Sequence, residues 1–201
     1  MAVVALGNPG TRYAPTRHNI AWQAIDALAT RRSLSWQRDK RFNAEVARFN
    51  LGDKAIILAK PQTFMNASGF TIGEIARFHK LRPENFLVVA DEVQLPLAAT
   101  KVTIGGSAGG HNGLTDIIQR IGAGFIRLRL GVAPGEPTPL TLKDFVLQAF
   151  TPEEQKTLTA RLPALADAIE LLLRAGTDRA MNTLNQRKTR PVQRHERQLS
   201  A

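Results

Sequence analysis

Two side chains in this sequence have the types needed for proton transfer to or from water. His18 lies in Tyr13-Ala14-Pro15-Thr16-Arg17-His18-Asn19, at the opening of a helical pattern. Asp91 follows the apolar run Phe86–Ala90. A histidine with one ring nitrogen held by a carboxylate is a general-base device. The carboxylate fixes the tautomer and steadies the imidazolium that forms. The chain has no cysteine, and Ser68 in Asn66-Ala67-Ser68-Gly69 lacks the G-x-S-x-G frame of a nucleophile elbow. Such a base would therefore activate water directly. Spacing alone does not pair the two residues. A histidine at a helix start also serves as a cap or a surface residue, and an aspartate after a strand as a turn residue.

Asn8, Asn66 and Asn112 form a second set. Amides donate and accept, so they can grip a peptide backbone or polarise a carbonyl without adding charge. Taken singly, Asn8 also suits the Asn-Pro-Gly turn and Asn112 a helix cap. Gly105–Gly113 (GGSAGGHNG) is glycine-rich and opens a helix, but it fits neither G-x-G-x-x-G nor the Walker pattern. It suits a phosphate cradle, a mobile lid or a close backbone approach. Phe64-Met65 is apolar within a polar loop and suits a pocket wall or a core anchor. The four histidines, His18, His79, His111 and His195, show no metal-ligand spacing, so no metal is expected.

These residues need a frame. Three short apolar runs, Ala2–Leu6, Ala55–Ala59 and Phe86–Ala90, suit central strands covered on both faces, each followed by polar residues. Helical patterns lie at Asn19–Arg32, Ala67–Lys80 and Asn112–Ile121. Phe42–Phe49 alternates and predicts a hairpin with Ala55–Lys60 through the Asn50–Lys54 turn. Val102–Ile104 and Phe125–Val132 are further strands. The alternation predicts a single-domain α/β fold: a mixed, largely parallel twisted sheet with helices on both faces. In such sheets ligands bind beyond the carboxyl ends of the strands, where Asn8, Gln62–Asn66, Asp91 and His18 would converge.

The C-terminal third reads as helix. Thr151-Pro152-Glu153-Glu154 is an N-terminal capping signature. Pro163 is expected to kink or break that helix. Gly176 ends it, and Ala180–Gln186 makes a short final helix. The domain is expected over 1–187. Residues 188–201 are expected to be a flexible basic tail, because that stretch lacks a packing face.

The formal net charge is +10. From Gln186 onward Arg187, Lys188, Arg190, Arg194 and Arg197 face one acid, Glu196, and the rest of the chain keeps a basic surplus. That surplus favours a polyanionic partner such as nucleic acid. No run approaches the roughly 18 apolar residues of a membrane span. The apolar start runs directly into Asn8-Pro9-Gly10 and reads as a strand and turn, not a signal peptide. The absence of cysteine fits a reducing, cytoplasmic setting.

Four blocks carry a family resemblance: GNPGTRYAPTRHN (Gly7–Asn19), KPQTFMNASG (Lys60–Gly69), DEVQLPL (Asp91–Leu97) and GGSAGGHNGL (Gly105–Leu114). In order and spacing they resemble the bacterial peptidyl-tRNA hydrolases. LRLGV (Leu128–Val132) and DFVLQAF (Asp144–Phe150) add to the likeness, which spans about Ala2 to Asn185. The resemblance implies hydrolysis of the ester between peptide and tRNA by a monomer that uses no cofactor and no metal. It places the catalytic pair on His18 and Asp91. It assigns substrate contacts to Asn8, Asn66 and Asn112, and the acceptor-end channel to Tyr13, Phe64 and Met65. His111 falls on the glycine-rich loop. Arg129 matches one member of a basic phosphate clamp. Thr103 stands where a lysine can occur, with Lys101 two residues away on the same strand face. Ala21, Ala98 and Gln148 replace glycines of the pattern, so local turns there are open to change.

Two rivals come from other classes. A non-catalytic RNA-binding protein on the same scaffold would not need intact His18, Asp91 and Asn8. A dinucleotide-dependent oxidoreductase would need a glycine fingerprint that Gly7–Gly10 does not supply.

Overall fold

The computed structural model describes residues 1–133 and 140–186. The basic tail expected over 188–201 lies outside the described residues. The chain runs β1 (Ala2–Ala5), α1 (Ile20–Arg31), β2 (Gln37–Asp39), β3 (Ala44–Leu51), β4 (Lys54–Pro61), α2 (Ser68–His79), β5 (Phe86–Pro96) and β6 (Thr100–Ile104). It continues through α3 (Asn112–Ile121), β7 (Ile126–Ala133), α4 (Leu142–Val146), α5 (Pro152–Ala175) and α6 (Thr177–Leu184). The strands form one sheet in the order β2-β3-β4-β1-β5-β7-β6. The central four, β4-β1-β5-β7, are parallel, and β2, β3 and β6 pair antiparallel outside them.

The apolar runs occupy the middle of the sheet because both of their faces are covered. Val3, Ala5, Leu87, Val89 and Leu128 pack with Ile20, Ile25 and Leu165 from α1 and α5. Ala2, Val4, Leu6 and Val88 pack with Ile72, Ile75, Leu114 and Ile117 from α2 and α3. Alternate residues of one strand thus feed two cores. Parallel strands need crossovers, and the helices supply them. The expected β3–β4 hairpin forms in register from Ala44↔Pro61 to Leu51↔Lys54.

Several boundaries differ from the sequence reading. Asp91 and Glu92 lie inside β5, which continues to Pro96, because their backbones pair with Leu130 and Gly131 of β7. Pro163 neither breaks nor ends α5. It is exposed, so water can take the Thr159 carbonyl that its missing N–H leaves free, while Leu165, Ile169 and Leu172 hold the next turns in the core. Arg31 also donates to the Pro163 carbonyl at 2.9 Å. The last helix starts directly after Gly176 instead of at Ala180. β2 and α4 carry too little periodicity to be read from sequence. Ala98, in a glycine position of the β5–β6 turn, keeps the left-handed conformation at φ 57°. Among the described residues no helix is long and apolar enough to cross a membrane.

Candidate active site

Adjacent strands β4, β1 and β5 bring their carboxyl ends to one crevice. Asn8 follows β1, Phe64–Asn66 follow β4, and Asp91 lies midway along the long strand β5. His18 enters from a short 3-10 turn, Arg17–Asn19, that leads into α1. The glycine-rich loop closes the side beneath α3. Together they bound a cleft of about 430 Å³.

His18 and Asp91 pair as the sequence suggested. Nδ1 of His18 lies 2.7 Å from Oδ1 of Asp91, and both residues are buried. The same Oδ1 lies 3.0 Å from Nε2 of His111. His111 caps α3: its Nδ1 accepts the N–H groups of Gly113 and Leu114 at 3.1 and 3.3 Å. That lone pair is therefore used, so the ring proton sits on Nε2 and points at Asp91. One carboxylate oxygen thus accepts from two imidazoles. With its Nδ1–H donated to the Asp91 carboxylate, His18 keeps the Nε2 lone pair available. Burial pushes the Asp91 pKa up, but the two histidines outweigh it and hold the carboxyl well below the usual range.

The three asparagines divide. Asn8 is buried and built into the frame. Its Oδ1 accepts the Met65 N–H at 2.8 Å, and its own N–H and C=O are matched by the Asn19 side chain at 2.9 Å each. Asn66 and Asn112 are exposed, line the cleft and have no side-chain hydrogen bond among the described residues. Asn112 is the first residue of α3 and not its cap, which is His111. Met65 is buried as an anchor, whereas Phe64 is 55% exposed. Phe64 stands edge-on to Tyr13, with ring centroids 6.2 Å apart. Gly113 allows α3 to approach this floor, since a Cβ there would sit 2.6 Å from the Met65 sulfur.

Lys101 and Arg129 are register partners on β6 and β7. Lys101 is exposed, but Arg129 is committed to Glu92 at 2.7 Å. Ligand-type atoms of His18, Asp91 and His111 lie within 4.8 Å of one another, a clustering that sequence spacing could not show. Their contacts have hydrogen-bond lengths, and His111 has no free lone pair, so the set works as a proton-holding network.

Three contributors escaped the sequence reading. Asn19 locks the backbone of Asn8. Arg17 fixes the turn that carries His18, donating to the Ala149 carbonyl at 2.7 Å and to Glu154 at 2.6 Å. Leu142, Lys143, Val146 and Leu147, in and just after α4, form the outer wall of the cleft. For α4 the signal was Thr141-Leu142-Lys143-Asp144, whose threonine caps the helix by accepting the Asp144 N–H.

The fold and crevice define a class, an α/β enzyme with a histidine–carboxylate centre at the carboxyl edge of a mostly parallel sheet. A family profile described as peptidyl-tRNA hydrolase matches residues 2–192. A peptidyl-tRNA hydrolase of Chloroflexus aurantiacus is 42% identical over 185 residues, covering 91% of this chain and 97% of that protein. One of Mycobacterium tuberculosis is 39% identical over 188 residues, covering 92% and 97%. The crystal structure of the Acinetobacter baumannii peptidyl-tRNA hydrolase superposes with a TM-score of 0.83 at 32% identity, covering 92% of this chain and 93% of that one. The chain belongs to the peptidyl-tRNA hydrolase family.

Proposed function

We propose that this enzyme hydrolyses the ester joining a peptide to tRNA, and that His18 is the general base that activates the water. The observation that carries this reading is the His18–Asp91 hydrogen bond through Nδ1, which leaves Nε2 as the nitrogen available to water in a cleft lined also by Asn66 and Asn112. Nε2 takes a proton from water as the oxygen attacks the ester carbonyl. Asp91 steadies the imidazolium. The Asn66 amide donates to the oxyanion. The ribose oxygen leaves with a proton returned from His18, giving free tRNA and free peptide. Asn8 holds Met65 and thereby the floor on which Asn66 sits. Asn112 and His111 border the peptide side, and Phe64 with Tyr13 offers aromatic faces to the terminal base. Exposed Lys101 contacts phosphate, and Arg129 beside it, held by Glu92, contributes less.

In this reading residues 1–187 form the hydrolase domain and 188–201 a basic extension, and the enzyme works as a cytoplasmic monomer. The basic surplus supports a tRNA partner. Incubation with an N-blocked aminoacyl-tRNA tests the proposal. Release of the blocked amino acid supports it, whereas binding without release would favour the RNA-binding rival.

A further inference from the structure

Arg127 is the largest fully buried side chain, 1% exposed, yet among the described residues it makes no ion pair. A buried cation without a counter-ion is costly unless hydrogen bonds replace its water. Here the outer nitrogens donate to two successive carbonyls, Nη1 to Ser107 and Nη2 to Gly106, each at 2.6 Å. The guanidinium also lies over the Phe125 ring, 4.7 Å from its centroid. Burial, with Arg129 nearby, lowers its pKa. A planar fork suits two adjacent carbonyls in a way that a lysine ammonium does not.

Those carbonyls open the loop that ends at His111. Gly106 and Gly110 take φ of 91° and 82°, where side chains are rarely tolerated, so the loop has little intrinsic preference for this path. Its far end is tied by the His111 contact to Asp91 and the His111 cap on α3. Ala108–Gly110 between the two ties line the cleft.

We infer that Arg127 is a positioning residue, latching the near end of the glycine-rich loop so that His111 reaches Asp91 and Asn112 faces the reacting ester. This rests on the proposed function for its kinetic consequence, but not for its structural one. Arg127 is placed as a latch and not as a phosphate contact, because both outer nitrogens donate to the loop carbonyls and the residue is 1% exposed.

The test compares Arg127→Met, Arg127→Lys, His111→Ala and the double variant Arg127→Met/His111→Ala with wild type. Arg127→Met lowers kcat on the order of 10- to 100-fold with KM nearly unchanged, as misplacement of a catalytic constellation does. Arg127→Lys recovers part of the loss. In the double variant the losses do not multiply, because both act through the same loop, whereas independent sites would combine to within about twofold of the product. Amide hydrogen exchange at residues 105–111 rises in Arg127→Met while the β1 and β5 amides stay protected. Unchanged loop exchange in a folded Arg127→Met protein overturns the inference whatever the activity. So do multiplying losses, or a fall in tRNA affinity with a shallower salt dependence. If Arg127→Met does not fold, the same exchange and kinetic comparisons are decided on Arg127→Lys. Failure of wild type to cleave would count against the proposed function and leave the exchange result to judge the latch.

Discussion

His18 and His111 share a single acceptor. Oδ1 of Asp91 lies 2.7 Å from Nδ1 of the first and 3.0 Å from Nε2 of the second. The three residues come from the 3-10 turn before α1, from β5 and from the cap of α3, so the arrangement exists only when both faces of the sheet are assembled. Its chemical effect is to hold Asp91 ionised and to aim the remaining His18 nitrogen outward.

Asp91→Asn preserves the shape but removes the charge that fixes the tautomer. The expected result is a kcat reduced on the order of 10²–10⁴-fold, with the fold intact by circular dichroism. Retention of wild-type kcat would remove Asp91 from the mechanism.

The pH behaviour follows from the direction of the Asp91 shift. Its folded-state pKa is lowered. Its contribution to stability is thus complete above the unfolded carboxyl value, about 3.9, and is lost as pH falls toward the folded value. Asp91 therefore stays ionised between about pH 5 and 8. In acid unfolding, Asp91→Asn should lose less stability than wild type as pH falls from about 4 to 2; an equal loss in both proteins would contradict this.

Arg17 is buried against Phe145 and Phe150 and bonded to Glu154, whose side chain is 21% exposed and also accepts the Thr151 N–H. Arg17→Met removes the charged hydrogen bonds that fix the turn before His18, costing about 1.5–3 kcal/mol in urea unfolding. A loss below 1 kcal/mol, roughly the scale of an exposed pair, would show that the pair is not structural.

The register partners Lys101 and Arg129 differ in what they offer a nucleic acid. Exposed Lys101 is free to displace counterions, while Glu92 already neutralises Arg129. Lys101→Ala should reduce the slope of log K against log salt for tRNA by about 0.7–0.9, the value of one phosphate contact. Arg129→Ala should change it less. The reverse order would place the phosphate at Arg129.

Much of this was legible in the chain. Three apolar runs with polar ends marked β1, β4 and β5, and their adjacency alone brings Asn8, Asn66 and Asp91 together. The capping signature at Thr151 formed as written. The extent of β5 was not legible, because a polar pair such as Asp91-Glu92 looks like a strand end until β7 pairs with it. Nor was the role of His111, since its partner is 20 residues away and nothing local distinguishes a cap from a ligand. Arg17, Asn19 and Arg127 work through backbone carbonyls, amides and carboxylates distant in sequence, a kind of contact that leaves no periodic trace.

Single-turnover cleavage of an N-blocked aminoacyl-tRNA by His18→Ala, with tRNA binding measured in parallel, tests whether His18 activates the water. The expected rate is about 10²–10⁴-fold below wild type with tRNA affinity retained. Wild-type cleavage by the variant would rule out His18 as the base.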